Sequence, residues 1–224
     1  MATPTLSRVR HRLAEAGYPI RYGLRFGFLP PPRGSVIARY DVILRTIALA
    51  RLGSVPGDFL EIGCFMGGGS YMLSQFMRGR FPGRRLFVVD VFDPGFDPGV
   101  NVFGARLKEQ YRQRLGGLSQ RQVFDHVTRG CHNLTVLQID SRFAKPETSA
   151  LAFAIVDGNH EPEWVDSDWR LVWRLLSPGG VVAFDDYQAA LPAVTATLNV
   201  LMTEHSTQIA RKEHVGNLLF VTKR

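Results

Sequence analysis

Two kinds of apolar pattern alternate along this chain. Short, nearly unbroken apolar runs stand at 59–62, 86–89, 134–139, 151–156 and 181–184, and between them lie longer segments whose apolar residues return every three or four positions. The runs predict strands and the periodic segments predict helices. A helix is expected from Ser35, a capping residue, to about Leu52, with Ile37, Tyr40, Ile43, Leu44, Ile47 and Leu49 inward and Gly53 as its stop. Others are expected near 70–78, 104–115, 119–129, 161–176 and 192–204. In the 161–176 segment Val165, Trp169, Val172, Trp173 and Leu176 share one stripe, so Trp169 and Trp173 read as core, whereas Trp164 starts the helix close to the strand tips, within reach of a substrate. The fourth run, 151–156, is apolar throughout, as expected of a strand covered on both faces. Strand and helix in alternation predict an α/β fold, a doubly wound, mostly parallel sheet. Segments 208–215 and 218–221 around Gly216-Asn217 read as a hairpin that adds two strands at the edge, the last antiparallel.

The first 34 residues follow a different pattern. Leu6, Val9, Leu13 and Ala16 make a helical stripe beside Arg8, Arg10 and Arg12, and Tyr18, Tyr22, Phe26 and Phe28 then alternate with glycine and arginine before prolines at 30–32. This predicts a basic N-terminal helical arm or lid over 1–34, ahead of one domain over 35–224. From Met1 to Gly53 nine arginines stand against Glu15 and Asp41 alone, which accounts for the whole net charge of +7. Such a surface suits nucleic acid, anionic lipid or an acidic substrate. Compositional bias is the simpler explanation, since the chain uses 23 Arg and only four Lys, arm arginines can pair with acids of a second subunit, and no recognisable RNA-binding motif appears. An ordered arm needs a docking surface, so a homo-oligomer joined through it is expected. No stretch approaches the roughly 20 apolar residues of a membrane span, and the N-terminus lacks a signal-peptide core, which predicts a cytoplasmic location. Cys64 and Cys131 belong to no C-x-x-C pair and read as reduced thiols.

Chemistry concentrates where the predicted strands end. After the first strand comes Glu61-x-Gly63, then Gly67, Gly68, Gly69 and Ser70 opening a helix, and the second strand ends in Asp90, 27 residues beyond Gly63. Such a strand, glycine turn and helix, with an acid closing the next strand, is a nucleotide-binding arrangement. The dinucleotide fingerprint needs a second glycine where Phe65 stands, so NAD is disfavoured. The looser spacing resembles motif I of S-adenosylmethionine-dependent methyltransferases, and the helix start at Ser70 suits the methionine carboxylate. An ordinary strand-to-helix turn in another α/β protein would look the same. The third strand ends in Asp140 and Ser141, placed to face the adenine side of a cofactor.

The fourth strand ends in Asp157 and the fifth in Asp185-Asp186. One right-handed crossover joins them, so the strands should be neighbours and three carboxylates should converge. Carboxylates that close need a cation, and hard oxygen ligands suit Mg²⁺ or Ca²⁺. Alternatively, Asp157 and Asp185 cap loops or touch the cofactor amine.

VPGDFLEIGCFMGGGS, VVDVFD, LQIDS, VDGNH and LLSPGGVVAFDDY together resemble the macrocin O-methyltransferase family, which methylates sugar hydroxyls of macrolides and aminocoumarins, and more loosely the metal-dependent catechol-type O-methyltransferases. The resemblance covers about residues 35–190. It implies a Rossmann-like methyltransferase fold, S-adenosylmethionine and Mg²⁺ as cofactors, and methyl transfer to a hydroxyl of a small sugar or polyketide-type molecule. It implies cofactor contacts at Glu61, Gly63, Ser70, Asp90, Asp140 and Ser141 and metal ligands at Asp157, Asp185 and Asp186, and Gly67 of the glycine turn is read as a further cofactor contact. The sugar-modifying family has an acid where Asn159 stands, so that carboxylate base is missing; His160 and Asp157 are the candidate catalytic groups. Two other classes remain open. A nucleic-acid methyltransferase would use the basic arm but lacks the expected N/D-P-P-Y-type motif where DGNH stands, and a non-catalytic S-adenosylmethionine-binding protein leaves the clustered acids without a purpose.

Overall fold

Seven strands form one sheet in the order β3-β2-β1-β4-β5-β7-β6. The computed structural model describes residues 22–31, 37–99, 106–188 and 191–224. Strands β1 (Asp58–Ile62), β2 (Leu86–Asp90), β3 (Leu134–Gln138), β4 (Leu151–Val156) and β5 (Leu176–Phe184) are mutually parallel, with registers such as Leu60 opposite Phe87 and Glu61 opposite Ile155. The hairpin β6 (Ile209–Val215) and β7 (Leu218–Lys223) turns at Gly216 and returns so that β7 lies antiparallel between β5 and β6. The last strand is thus internal to the hairpin edge, and β6 is the outer strand.

Alternate residues of each strand feed opposite layers, as a period of two dictates. On one face Phe59, Phe153, Ile155 and Phe220 pack with Ile43, Leu44 and Ile47 of α1 (Ile37–Leu49) and Met72, Leu73 and Phe76 of α2 (Gly68–Arg80). On the other Leu60, Ala154, Val182 and Phe184 meet Val165, Trp169 and Val172 of α5 (Pro162–Leu175) and Leu198 of α6 (Pro192–Glu204). Trp169 is stacked between Trp173 and Phe184 at centroid separations of 5.0 and 5.2 Å, so both tryptophans are core as expected. The connection after β2 carries α3 (Leu107–Leu115) and α4 (Gln120–Val127).

Two local expectations change. Ser177, Pro178, Gly179 and Gly180, read from sequence as a helix stop, lie within β5, where the β4–β5 ladder shifts register between Leu151 and Phe153. A proline costs no ladder bond at such an irregularity. The arm also docks differently from the expectation of a partner surface. Residues 22–26 are helical, Tyr22 and Phe26 are buried in the same core as Phe76, and the Phe26 and Phe76 rings stand 5.9 Å apart. Arg25 fastens this segment to the Asp41 carboxylate at 2.7 and 2.9 Å. This part of the arm therefore packs on its own chain. The basic stripe from Leu6 to Ala16 lies outside the described residues. Among the described residues no helix is long and apolar enough to cross a membrane, and Cys64 and Cys131 are free thiols.

Candidate active site

Parallel strands place their carboxyl ends on one rim, and the strand order reverses between β1 and β4, where an open α/β sheet leaves a crevice. A cleft of about 410 Å³ opens there. That volume is within the range of small-molecule sites.

The loop after β1 is built for close approach. Gly63 has φ +79, and a Cβ on it would lie 2.0 Å from the Asp157 carbonyl oxygen, so only glycine lets the ends of β1 and β4 touch. Gly67 caps α2 at φ +80, with its α-carbon against the Phe124 ring. Beneath the loop, Glu61 is wholly buried. Its Oε1 accepts from the Tyr40 hydroxyl at 2.6 Å and its Oε2 from the Ser70 hydroxyl. Burial pushes the Glu61 pKa up to about 7 against the pull of those two hydroxyls. Glu61 and Ser70 thus clamp α1, β1 and α2 together below the cleft, while Gly63, Asp90 and Ser141 line it.

Asp90 holds the loop from above. One carboxylate oxygen accepts from the backbone N–H groups of Cys64 and Phe65 at 2.9 and 3.1 Å, the other from Phe92 N at 2.7 Å and Gln120 Nε2 at 3.0 Å. Asp140 does not line the cleft. It caps the turn Ser141–Phe143 and pairs with Arg142 at 2.7 Å; burial opposes ionisation, yet the bonds from Arg142 hold its pKa below the ordinary carboxylate value. Arg142 in turn lies 3.9 Å over the ring of Trp164, which forms a wall of the cleft with Ile139. Trp164 therefore sits at the strand tips, as expected.

The second half of the cleft is a charge cluster. Asp157 ends β4 and Asp185-Asp186 ends β5 on the neighbouring strand, so the convergence expected from sequence is present. The two β5 acids diverge because Asp186 has φ +57, a left-handed conformation uncommon for a non-glycine residue. Asp185 points inward, accepts from Asn217 Nδ2 at 2.7 Å and makes an ion pair with Arg39 of α1, which also bonds Asp157. Asp186 faces His160 Nε2 at 2.9 Å, and His160 Nδ1 meets Asp97 at 2.6 Å. Burial and the Asp157 charge raise the Asp185 pKa, and the Arg39 charge beside it pulls the other way. Burial also raises Asp157, against the Arg39 charge. Burial alone would lower His160, but its bonds to Asp186 and Asp97 and the Asp157 charge push it up to about 10. His160 therefore carries a proton at neutral pH and has no lone pair with which to accept another.

Ligand-capable atoms of Asp157, His160 and Asp186 lie within 4.8 Å of one another; Asp185 is not of that set. Mg²⁺ demands near-octahedral oxygen ligands. Here one of the three groups is an imidazole bonded on both sides, and Asp157 and Asp185 are engaged by a guanidinium. As arranged, the residues do not fit a hard divalent ion. Asp97 was missed from sequence, and Arg39 and Gln120 were not legible there as site residues. The repeated Asp-Pro-Gly at 93–95 and 97–99 was a usable signal, since each aspartate turns on its own glycine N–H at 2.8 Å and the second reaches His160. Arg39 carried none, being one of many arginines.

The strand order, with its antiparallel β7 and its cleft at the reversal point, defines a Rossmann-like methyltransferase fold. Residues 60–187, more than half of the chain, match a family described as a methyltransferase domain, and the chain belongs to that family. No curated protein matches it. Among solved structures, the O-methyltransferase NovP superposes with a TM-score of 0.67 at 18% identity, over 84% of this chain and 80% of that one. The calicheamicin methyltransferase CalS11 gives 0.60 at 18%, covering 93% and 92%. The MycE methyltransferase of the mycinamycin pathway, in complex with Mg, SAH and mycinamycin VI, gives 0.51 at 15%, covering 91% and 53%. At these identities the likeness is one of fold.

Proposed function

We propose that this protein is an S-adenosylmethionine-dependent O-methyltransferase acting on a hydroxyl of a small sugar or polyketide-type molecule. The carrying observation is the continuity of one cleft from Gly63, Asp90 and Ser141, beside the Trp164 wall, to the acids Asp157 and Asp186. The glycine-loop half suits the donor: backbone at Gly63 permits close approach, Trp164 and Ile139 offer apolar faces for adenine, and Asp90 can exchange a loop contact for ribose hydroxyls. Ser141 lies beside the adenine wall. Glu61, Gly67 and Ser70 support this half from below, and Asp140 supports it through Arg142.

S-adenosylmethionine bound in the glycine-loop half would supply the methyl group to an acceptor oxygen in the acidic half, and Asp157, whose raised pKa suits an acceptor, would take the hydroxyl proton. His160, held between Asp97 and Asp186 through both ring nitrogens, fixes those two carboxylates at the wall of the acceptor half rather than accepting a proton. The sequence reading also placed Mg²⁺ at Asp157, Asp185 and Asp186. Those carboxylates are instead taken by Arg39 and His160 of the chain itself. Reduced Cys64 and Cys131 suit a cytoplasmic setting.

The test is calorimetric titration with S-adenosylhomocysteine, followed by mass spectrometry of a panel of sugars and phenols incubated with S-adenosylmethionine. Expected are one bound cofactor per chain and the mass gain of a methyl group on an acceptor oxygen. Cofactor binding with no methylation of any hydroxylated acceptor would favour the non-catalytic class, and salt-sensitive retention and methylation of RNA the nucleic-acid class.

A further inference from the structure

The geometry points to Arg39 as a built-in cation that takes the place of a divalent ion in this cleft. We propose that its guanidinium, not a bound metal, neutralises Asp157 and Asp185 and positions the acceptor oxygen. The kinetic part of this proposal rests on the methyl-transfer reading; the metal-exclusion part does not.

Two carboxylates brought together at the ends of adjacent strands require a counter-charge, and a buried carboxylate such as Asp185 requires it most. The chain supplies it from a rigid element. Arg39 stands on the 13-residue helix α1, and its neighbours are fastened: Tyr40 donates to Glu61 at 2.6 Å, and Asp41 accepts from Arg25 at 2.7 Å. These attachments fix the helix rotation that aims Arg39 into the cleft. One of its terminal nitrogens contacts both Asp157 and Asp185. A guanidinium has five N–H donors in a planar fork, so donors remain for an oxygen in the cleft that Arg39 lines. On the opposite side His160 engages Asp186 and Asp97. The four carboxylates of the cluster are therefore each engaged by a group of the chain itself, Asp157 and Asp185 by Arg39 and Asp186 and Asp97 by His160. A metal ion binding Asp157 or Asp185 here must displace a part-buried guanidinium. Arg39 thus holds the two aspartates and leaves donors free for the acceptor oxygen.

Equilibrium dialysis of the full chain against millimolar Mn²⁺, with metal analysis, tests this. The wild type is expected to hold no stoichiometric Mn²⁺. Arg39→Gln, which removes the charge, should bind one Mn²⁺ per chain with affinity at least about tenfold tighter than wild type. Arg39→Lys, which keeps a charge, should behave as wild type. In turnover, chelator should leave the wild type unchanged, and Arg39→Gln should lose kcat while S-adenosylhomocysteine affinity stays within a few fold. One Mn²⁺ per wild-type chain, or none in folded Arg39→Gln, overturns the proposal. If Arg39→Gln does not fold, the wild-type dialysis decides: stoichiometric Mn²⁺ overturns and its absence supports. Failure of S-adenosylhomocysteine to bind any form would overturn the methyltransferase reading while leaving the dialysis result interpretable.

Discussion

Asp168 of α5 shows how a single side chain can be shaped by what lies over it. It is fully buried beneath Gly158, whose α-hydrogen points at its carboxylate, and neither oxygen has a well-aligned hydrogen-bond donor. Burial pushes its pKa up to about 7, against a weaker pull from the Ser141 hydroxyl. A carboxyl whose pKa is higher folded than unfolded favours folding below its unfolded value, near 4, and loses that contribution as pH rises through the folded value. Stability measured by urea unfolding should therefore fall between about pH 4 and pH 7. Asp168→Asn should flatten this slope by up to roughly 4 kcal/mol, the ceiling set by a shift from 3.8 to about 7. A slope unchanged in the variant would assign the pH dependence to Glu61 or Asp185 instead. None of this was readable from sequence, because Asp168 lies on a helix whose period marks its apolar neighbours and says nothing of what covers a polar one.

Helix α4 shows how an element delivers a residue to the site. Ser119 accepts from Gln122 N at 3.1 Å while the Gln122 side chain accepts from Ser119 N at 2.9 Å, a reciprocal cap that fixes the first turn. Gln120, next in the chain, thereby reaches Asp90, the acid that ties down the Cys64 and Phe65 backbone. Ser119→Ala should cost about 1 kcal/mol in urea unfolding. It should also weaken S-adenosylhomocysteine binding measurably, because the loop restraint is loosened. A loss of stability with cofactor affinity unchanged would detach α4 from the site. The helix itself was expected near 119–129 from its pattern. Its link to Asp90 was not, since the two lie 30 residues apart.

At the scale of the whole molecule, the described part of the arm belongs to the domain core. Phe26 packs against Phe76, Tyr22 and Phe28, and Arg25 pairs with Asp41. Phe26→Ala should lower stability by about 3 kcal/mol, the scale of a large-to-small change in a core. That loss should be independent of protein concentration, as unfolding at two concentrations a hundredfold apart would show. A concentration-dependent loss would restore the expectation that this segment docks on a second copy.

The alternation of apolar runs and helical stripes was sufficient for the doubly wound sheet, its strand tips and the convergence of Asp157 with Asp185 and Asp186, because period and chain order act locally and a right-handed crossover leaves little choice of neighbours. The distinction between Glu61 and Ser70 below the loop and Asp90 above it came only with the tertiary structure, as did the arrival of Asp97 at His160. The same holds for Arg39. Which cation meets a pair of buried acids depends on how a helix 118 residues earlier is rotated against the sheet, and that rotation is set by Tyr40, Glu61 and the packing of α1, contacts that no spacing along the chain encodes.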